Sequence, residues 1–167
     1  MMKQQGELLA HWQYSTKMWD EFVTIEKGNK KEDNIYFGIG ILIIASLGLM
    51  FFRNTSFWGG LVFAIPFAIV IPWLRMKFSY TYLKKGSKNP EVKIFYDTLW
   101  INQKKIELRG DRKRIKSLKV ISAKNDLKLL EFDVQWMTAK GPTNDEFRIL
   151  IPKSELEEVE NLIQKLS

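Results

Sequence analysis

The chain has 167 residues, with 26 Lys or Arg against 19 Asp or Glu, a net charge of +7, one histidine and no cysteine. That composition excludes disulfides, thiolate metal sites and cysteine nucleophiles, and a lone histidine cannot build a multi-histidine metal centre. The mean hydropathy of −0.19 reads as soluble only because it averages a very apolar stretch with a very polar one.

Residues 1–34 form the first expected domain. Glu7–Tyr14 alternates, placing Leu8, Ala10, Trp12 and Tyr14 on one face of a short strand. Ser15 or Thr16 is a natural N-cap for a helix that would run to Lys27 and stop at Gly28. Met18, Trp19, Phe22 and Val23 share one side of that helix. A segment so short with so many aromatics is expected to dock, on the C-terminal domain or on a partner. His11, between Ala10 and Trp12, is expected to be structural. Six acidic residues and no unbroken apolar core between Met1 and Asn34 give no sign of a cleavable leader.

Residues 35–76 form the second domain. Two uncharged runs, Ile35–Phe52 and Phe57–Leu74, are separated by Arg53-Asn54-Thr55-Ser56. Each run has 18 residues, and as a helix would be about 27 Å long, just enough to cover a hydrocarbon core. The short turn makes this a transmembrane helical hairpin. Lys27, Lys30 and Lys31 precede it, and Arg75, Lys77, Lys84, Lys85 and Lys88 follow it, whereas the turn carries only Arg53. By the positive-inside rule both termini are cytoplasmic. Gly60, Ala64 and Ala68 line one face of the second span, where small residues admit a close helix. The first span, with Gly40, Ala45 and Gly48, is the expected occupant, and a second copy is the alternative. Pro66 and Pro72 are expected to kink the second helix. Neither span carries an ionisable acid or base, which disfavours a proton or ion pathway and makes the hairpin an anchor. Trp58, Trp73 and Tyr36 fit interfacial positions.

Residues 77–167 form the third domain. Met76–Lys85 fits either a strand or a prolongation of the membrane helix. Beyond it, Val92–Tyr96, Thr98–Asn102, Lys105–Leu108, Ile115–Ser122, Leu127–Met137 and Phe147–Ile151 are strand-like, with turns between them. After Pro152 the period becomes helical, with Ser154 as cap and Leu156, Val159, Leu162, Ile163 and Leu166 on one face. The expected fold class is a membrane α-helical hairpin plus an α+β domain. That domain would be a small bent antiparallel sheet or partial barrel, closed by a C-terminal helix.

A cytoplasmic start, a tight hairpin, VKIFYDTLWIN, a basic stretch and a closing RILIPKSELEEVENLIQKL together resemble bacterial membrane proteins with a pleckstrin-homology-like domain, the YcxB-like group. The resemblance covers about residues 40–167. It implies a split-barrel fold, a place in the bacterial inner (cytoplasmic) membrane and a binding role. It brings no site residues with it.

Lys104–Lys119 holds eight basic residues against Glu107 and Asp111, and from Arg75 onward the chain carries 20 basic and 13 acidic residues. Near an anionic leaflet each basic residue is worth about 1 kcal/mol, which makes Arg109, Arg112, Lys113, Arg114 and Lys116 candidates for lipid-headgroup contact. A solvated loop obeying the positive-inside bias is the competing reading. Nucleic acid is disfavoured, because Phe95, Trp100 and Trp136 fall on strand positions and are expected in the core. No cofactor, metal or acid–base motif stands out. The expected function is therefore a non-enzymatic, membrane-anchored module binding a protein partner or anionic lipid headgroups at the cytoplasmic face. A subunit that oligomerises through Gly60, Ala64 and Ala68 into a pore or transport complex is the alternative. Oligomeric state stays open.

Overall fold

The computed structural model describes residues 6–166; residues 1–5 and Ser167, the outer ends of the first and third expected domains, lie outside it. The elements run β1 (Leu8–Gln13), α1 (Thr16–Arg53), α2 (Phe57–Phe78), β2 (Glu91–Phe95), β3 (Thr98–Ile101), β4 (Lys104–Glu107), β5 (Lys113–Ser122), β6 (Lys128–Thr138), β7 (Gly141–Leu150) and α3 (Val159–Leu166). They form two compact units. One joins Met1–Ile25 to Lys84–Ser167, and the other is Glu26–Leu83. The boundary expected at Asn34 therefore falls inside α1.

The first unit contains two antiparallel sheets, of order β1-β2-β3-β4 and β5-β6-β7. This is an α+β arrangement with two sheets where one bent sheet was expected. The N-terminal strand belongs to it outright: Trp12 pairs with Val92 and Gln13 with Glu91. Tyr14 and Trp19 stack with centroids 5.5 Å apart, and Trp19 and Phe22 with centroids 5.3 Å apart. Trp19 has 0% exposure, and its indole N–H donates to the Lys84 carbonyl at 3.0 Å. Tyr14 donates its hydroxyl to Leu150 O at 2.6 Å, and Gly86 N–H donates to Asp20 Oδ1 at 2.8 Å. The expected docking of this segment is thus on the C-terminal domain, as part of its core. His11 joins Glu91 across the β1–β2 pair, Nε2 to Oε2, at 2.9 Å.

Gly28 does not stop the first helix. Ser15 caps it, its Oγ accepting from Met18 N at 3.3 Å, and α1 then runs 38 residues without a break. One glycine costs a helix only about 1 kcal/mol relative to alanine, less than the packing on either side supplies. Ser56 caps the second helix, its side chain accepting from Gly59 N, and the helix runs past Leu74 to Phe78. The segment after it is turns, not a strand.

In the second unit, both helices are long and apolar enough to cross a membrane. Only 11% of the most apolar window of α1 and 17% of that of α2 is buried, so the large side chains face outward, Phe52 at 89% exposure among them. The inner seam is made by Gly60, Ala64, Ala68 and Pro72 of α2. The seam partners on α1 differ from those expected. A Cβ on Gly60 would lie 2.9 Å from Ser46 O, and one on Gly38 would lie 2.8 Å from Ala68 O, whereas Gly40 and Gly48 have open space around them. The helix continues through both prolines. Pro72 has no N–H to offer Ala68 O, and that freed carbonyl is the one against which Gly38 packs, where a Cα–H can serve as a weak donor.

Elsewhere in the first unit, Lys140–Asn144 has turn composition, yet β7 already begins at Gly141, so the reversal after β6 is confined to Ala139 and Lys140. Gly141, at φ 114, makes that tight reversal possible. The C-terminal helix is shorter than expected. Lys153–Glu155 is a 3-10 turn with no side-chain cap, and α3 proper starts at Val159, burying Val159, Leu162 and Leu166.

Candidate functional site

The basic run spans β4, the turn after it and the first part of β5. Gly110 and Lys113 close the turn with reciprocal backbone hydrogen bonds of 3.1 and 3.2 Å. Beyond it, β5 pairs with β6, and β6 with β7, so residues from all three strands share rows across the sheet. In one row Lys119 faces Glu131 and Glu131 faces Arg148. Lys119 Nζ lies 2.9 Å from Glu131 Oε1, Arg148 Nε lies 2.7 Å from Oε2, and Arg148 Nη2 lies 2.9 Å from Glu146 Oε2. Burial alone would push the Glu131 carboxyl up. The hydrogen bonds from Arg148 and Lys119 outweigh that and hold it below the usual carboxylate range. The same contact raises the Lys119 ammonium.

Four of the five proposed headgroup residues are engaged inside the domain. Arg109 stacks on Tyr96 at 4.4 Å and donates to Tyr96 OH and to Leu166 O at the C-terminal end of α3. Such a site suits a cation, because the last helical carbonyls carry partial negative charge. Lys113 lies 3.5 Å from Glu107 and over the Trp136 ring. Arg114 gives two hydrogen bonds to Gln135 Oε1, of 3.1 and 2.7 Å. Lys116 lies 3.4 Å from Asp133. Arg112 alone shows no side-chain partner among the described residues, although its carbonyl accepts from Met137 N at 2.8 Å. Phe95, Trp100 and Trp136 are half-buried and not core, with Lys105 over the Trp100 ring at 5.7 Å.

The three helix-packing residues are brought together, on the α2 seam and against the chain's own α1. Within one chain the seam thus faces α1, the occupant expected ahead of a second copy. In the N-terminal segment Trp12, Trp19 and Phe22 are buried.

Two features escaped the sequence reading. Glu26, Lys30 and Asn34 recur every four residues along α1, and all three are buried, with Lys30 Nζ 3.7 Å from Glu26 Oε1 and 5.6 Å from the Tyr80 ring centroid. The four-residue spacing was the available signal, but the charges read as a solvated flank of the membrane span. The second is a crevice of about 400 Å³ between the two helices, lined by Lys31, Asn34, Gly38, Leu42, Ala68 and Ile69 among others. Among the described residues no three His, Asp or Glu side chains converge as a metal site. No known protein family, curated protein or solved structure matches the chain.

Proposed function

We propose that this protein is a non-enzymatic binding module held at the cytoplasmic face of a bacterial inner membrane by α1 and α2, with its sheet domain engaging a protein partner. The outward apolar faces of both helices support the anchor, because water would not tolerate so much exposed hydrocarbon on a pair of helices. A four-stranded and a three-stranded antiparallel sheet with a C-terminal helix are compatible with a pleckstrin-homology-like split barrel, which the resemblance of residues 40–167 also implies. On that reading the hairpin is an insertion between the first two strands of the domain.

The observation that carries the choice of partner is the internal pairing of the basic run. With Arg109, Lys113, Arg114 and Lys116 already engaged, a headgroup would have to displace existing contacts. The strands β5 and β7, each ten residues long, pair on one side only among the described residues, which leaves rows of backbone donors and acceptors for an added strand. A photo-cross-linking residue at Val120, exposed on β5, is expected to give one discrete protein adduct in native membranes. Carbonate washing is expected to leave the chain in the membrane pellet. Extraction by carbonate would overturn the anchor, and cross-links to lipid alone would overturn the protein partner.

A further inference from the structure

We propose that the crevice between α1 and α2 binds an anionic phospholipid whose head group carries a hydroxyl, of the phosphatidylglycerol type. The inference rests on the reading of the two helices as membrane-spanning. The crevice, of about 400 Å³, falls within the size range of small-ligand sites, and its walls are almost wholly hydrocarbon. Its floor is set by the close approach of Gly38 to Ala68, where a larger residue would strike the Ala68 carbonyl. An acyl chain matches walls of Leu42, Ala68 and Ile69.

Two polar groups mark the end where a head group belongs. Asn34 is 3% exposed and lines the crevice. Its Nδ2 donates to Lys30 O at 2.7 Å and to Met76 Sδ at 3.3 Å, while its Oδ1 has no hydrogen-bond partner. A buried acceptor without a donor is costly, and the cost is greatest where water is scarce. A head-group hydroxyl supplies that donor. Lys31 stands at the same end, exposed, and no acidic side chain lines the crevice. One cation without a counter-charge suits a phosphate, and the long lysine stem can reach along the apolar wall to meet it. A choline head group offers phosphate but no hydroxyl or N–H donor. Phosphatidylglycerol offers both.

The full-length protein, delipidated in nonionic detergent, can be titrated with dioleoyl-phosphatidylglycerol or dioleoyl-phosphatidylcholine and followed by native mass spectrometry. Phosphatidylglycerol is expected to bind at least tenfold more tightly. Ile69→Trp fills the crevice from a position that is 65% exposed, so it leaves the seam intact and should weaken phosphatidylglycerol at least tenfold. Lys31→Ala should weaken it severalfold, and Asn34→Leu should reduce the lipid preference below twofold. Equal affinity for the two lipids, or an Ile69→Trp protein that binds phosphatidylglycerol unchanged, overturns the site. Carbonate extraction separates the two levels. A chain that resists extraction yet shows no lipid preference loses only the crevice, whereas an extracted chain loses the membrane reading as well.

Discussion

Replacing Trp19 by alanine tests whether the start of α1 is part of the domain core or an ornament on it. The indole has 0% exposure and sits between Tyr14 and Phe22. Truncating a buried Trp to Ala costs about 3–5 kcal/mol. The lost hydrogen bond to Lys84 O adds roughly 0.5–1.5 kcal/mol, because that carbonyl lies near solvent and can turn to water. The total, about 4–6 kcal/mol, is a large share of the 5–15 kcal/mol typical of a whole domain. With a urea slope of roughly 1–3 kcal/mol per molar for a domain of this size, the midpoint should fall by at least about 1 M, and by up to about 6 M at the shallowest slope. Pulse proteolysis of the full chain in mild detergent reads that midpoint as the loss of the intact band. Trp19→Phe keeps most of the packing and should give less than half the shift. A shift below about 0.5 M for the alanine variant would mean that 77–167 is self-sufficient and that the N-terminal segment only rests upon it.

Gly60→Leu forces a side chain onto the Ser46 backbone and should destabilise the hairpin by about 1–3 kcal/mol, read as an earlier thermal transition, with no change in blue-native mass. Loss of a larger species on that gel would return the seam to an oligomer. Glu131 has a carboxyl pKa below its ordinary value, so the stability it contributes is present above the unfolded carboxylate range and disappears as pH falls below about 4. Glu131→Gln should flatten that acid limb and cost about 1–3 kcal/mol at neutral pH, by leaving Lys119 and Arg148 facing a neutral amide; an unchanged pH profile in urea titrations refutes the network. Arg109→Ala should lower the domain's melting temperature, whereas Arg112→Glu should leave it unaltered, because only the first guanidinium holds Tyr96 and the end of α3.

The two long apolar helices were legible because each uncharged 18-residue run is long enough to stay helical throughout and the four polar residues between them mark the break. Most strands were legible for a similar local reason, their alternation. What escaped depends on partners far along the chain. Nothing near Trp12 announces that it pairs with Val92, and the alternation of Glu7–Tyr14 fits an isolated strand equally well. The polar row of Glu26, Lys30 and Asn34 looks like a solvated flank until Tyr80 and Met76 come to cover it. The basic run carries the same signal whether it faces lipid or its own sheet, since the acids that meet Lys116 and Lys119 arrive on β6. Gly141-Pro142-Thr143-Asn144 has turn composition, yet ladder pairing with Gln135 and Trp136 overrides it.

The order of the elements makes the hairpin a closed excursion from one domain. The chain leaves the sheet unit after Ile25 and re-enters it at Lys84. Trp19 and Asp20, just before the exit, are hydrogen-bonded to Lys84 and Gly86, just after the return. If the roughly 60 intervening residues were a flexible loop, closing it would cost about 3–4 kcal/mol by the logarithmic law. A preformed helical hairpin removes most of that cost, because its two ends are already neighbours. Pairing of β1 with β2 is thereby coupled to formation of the hairpin. A shortened chain, with Ile25 joined to Lys84 through eight Gly/Ser residues, should fold as a soluble domain. A version with about 60 flexible residues in the same place should be less stable by about 2 kcal/mol, a difference of roughly 10 °C in melting temperature. Equal melting temperatures for the two chains would show that closure does not limit the domain. Failure of the shortened chain to fold would show that the hairpin supplies more than proximity.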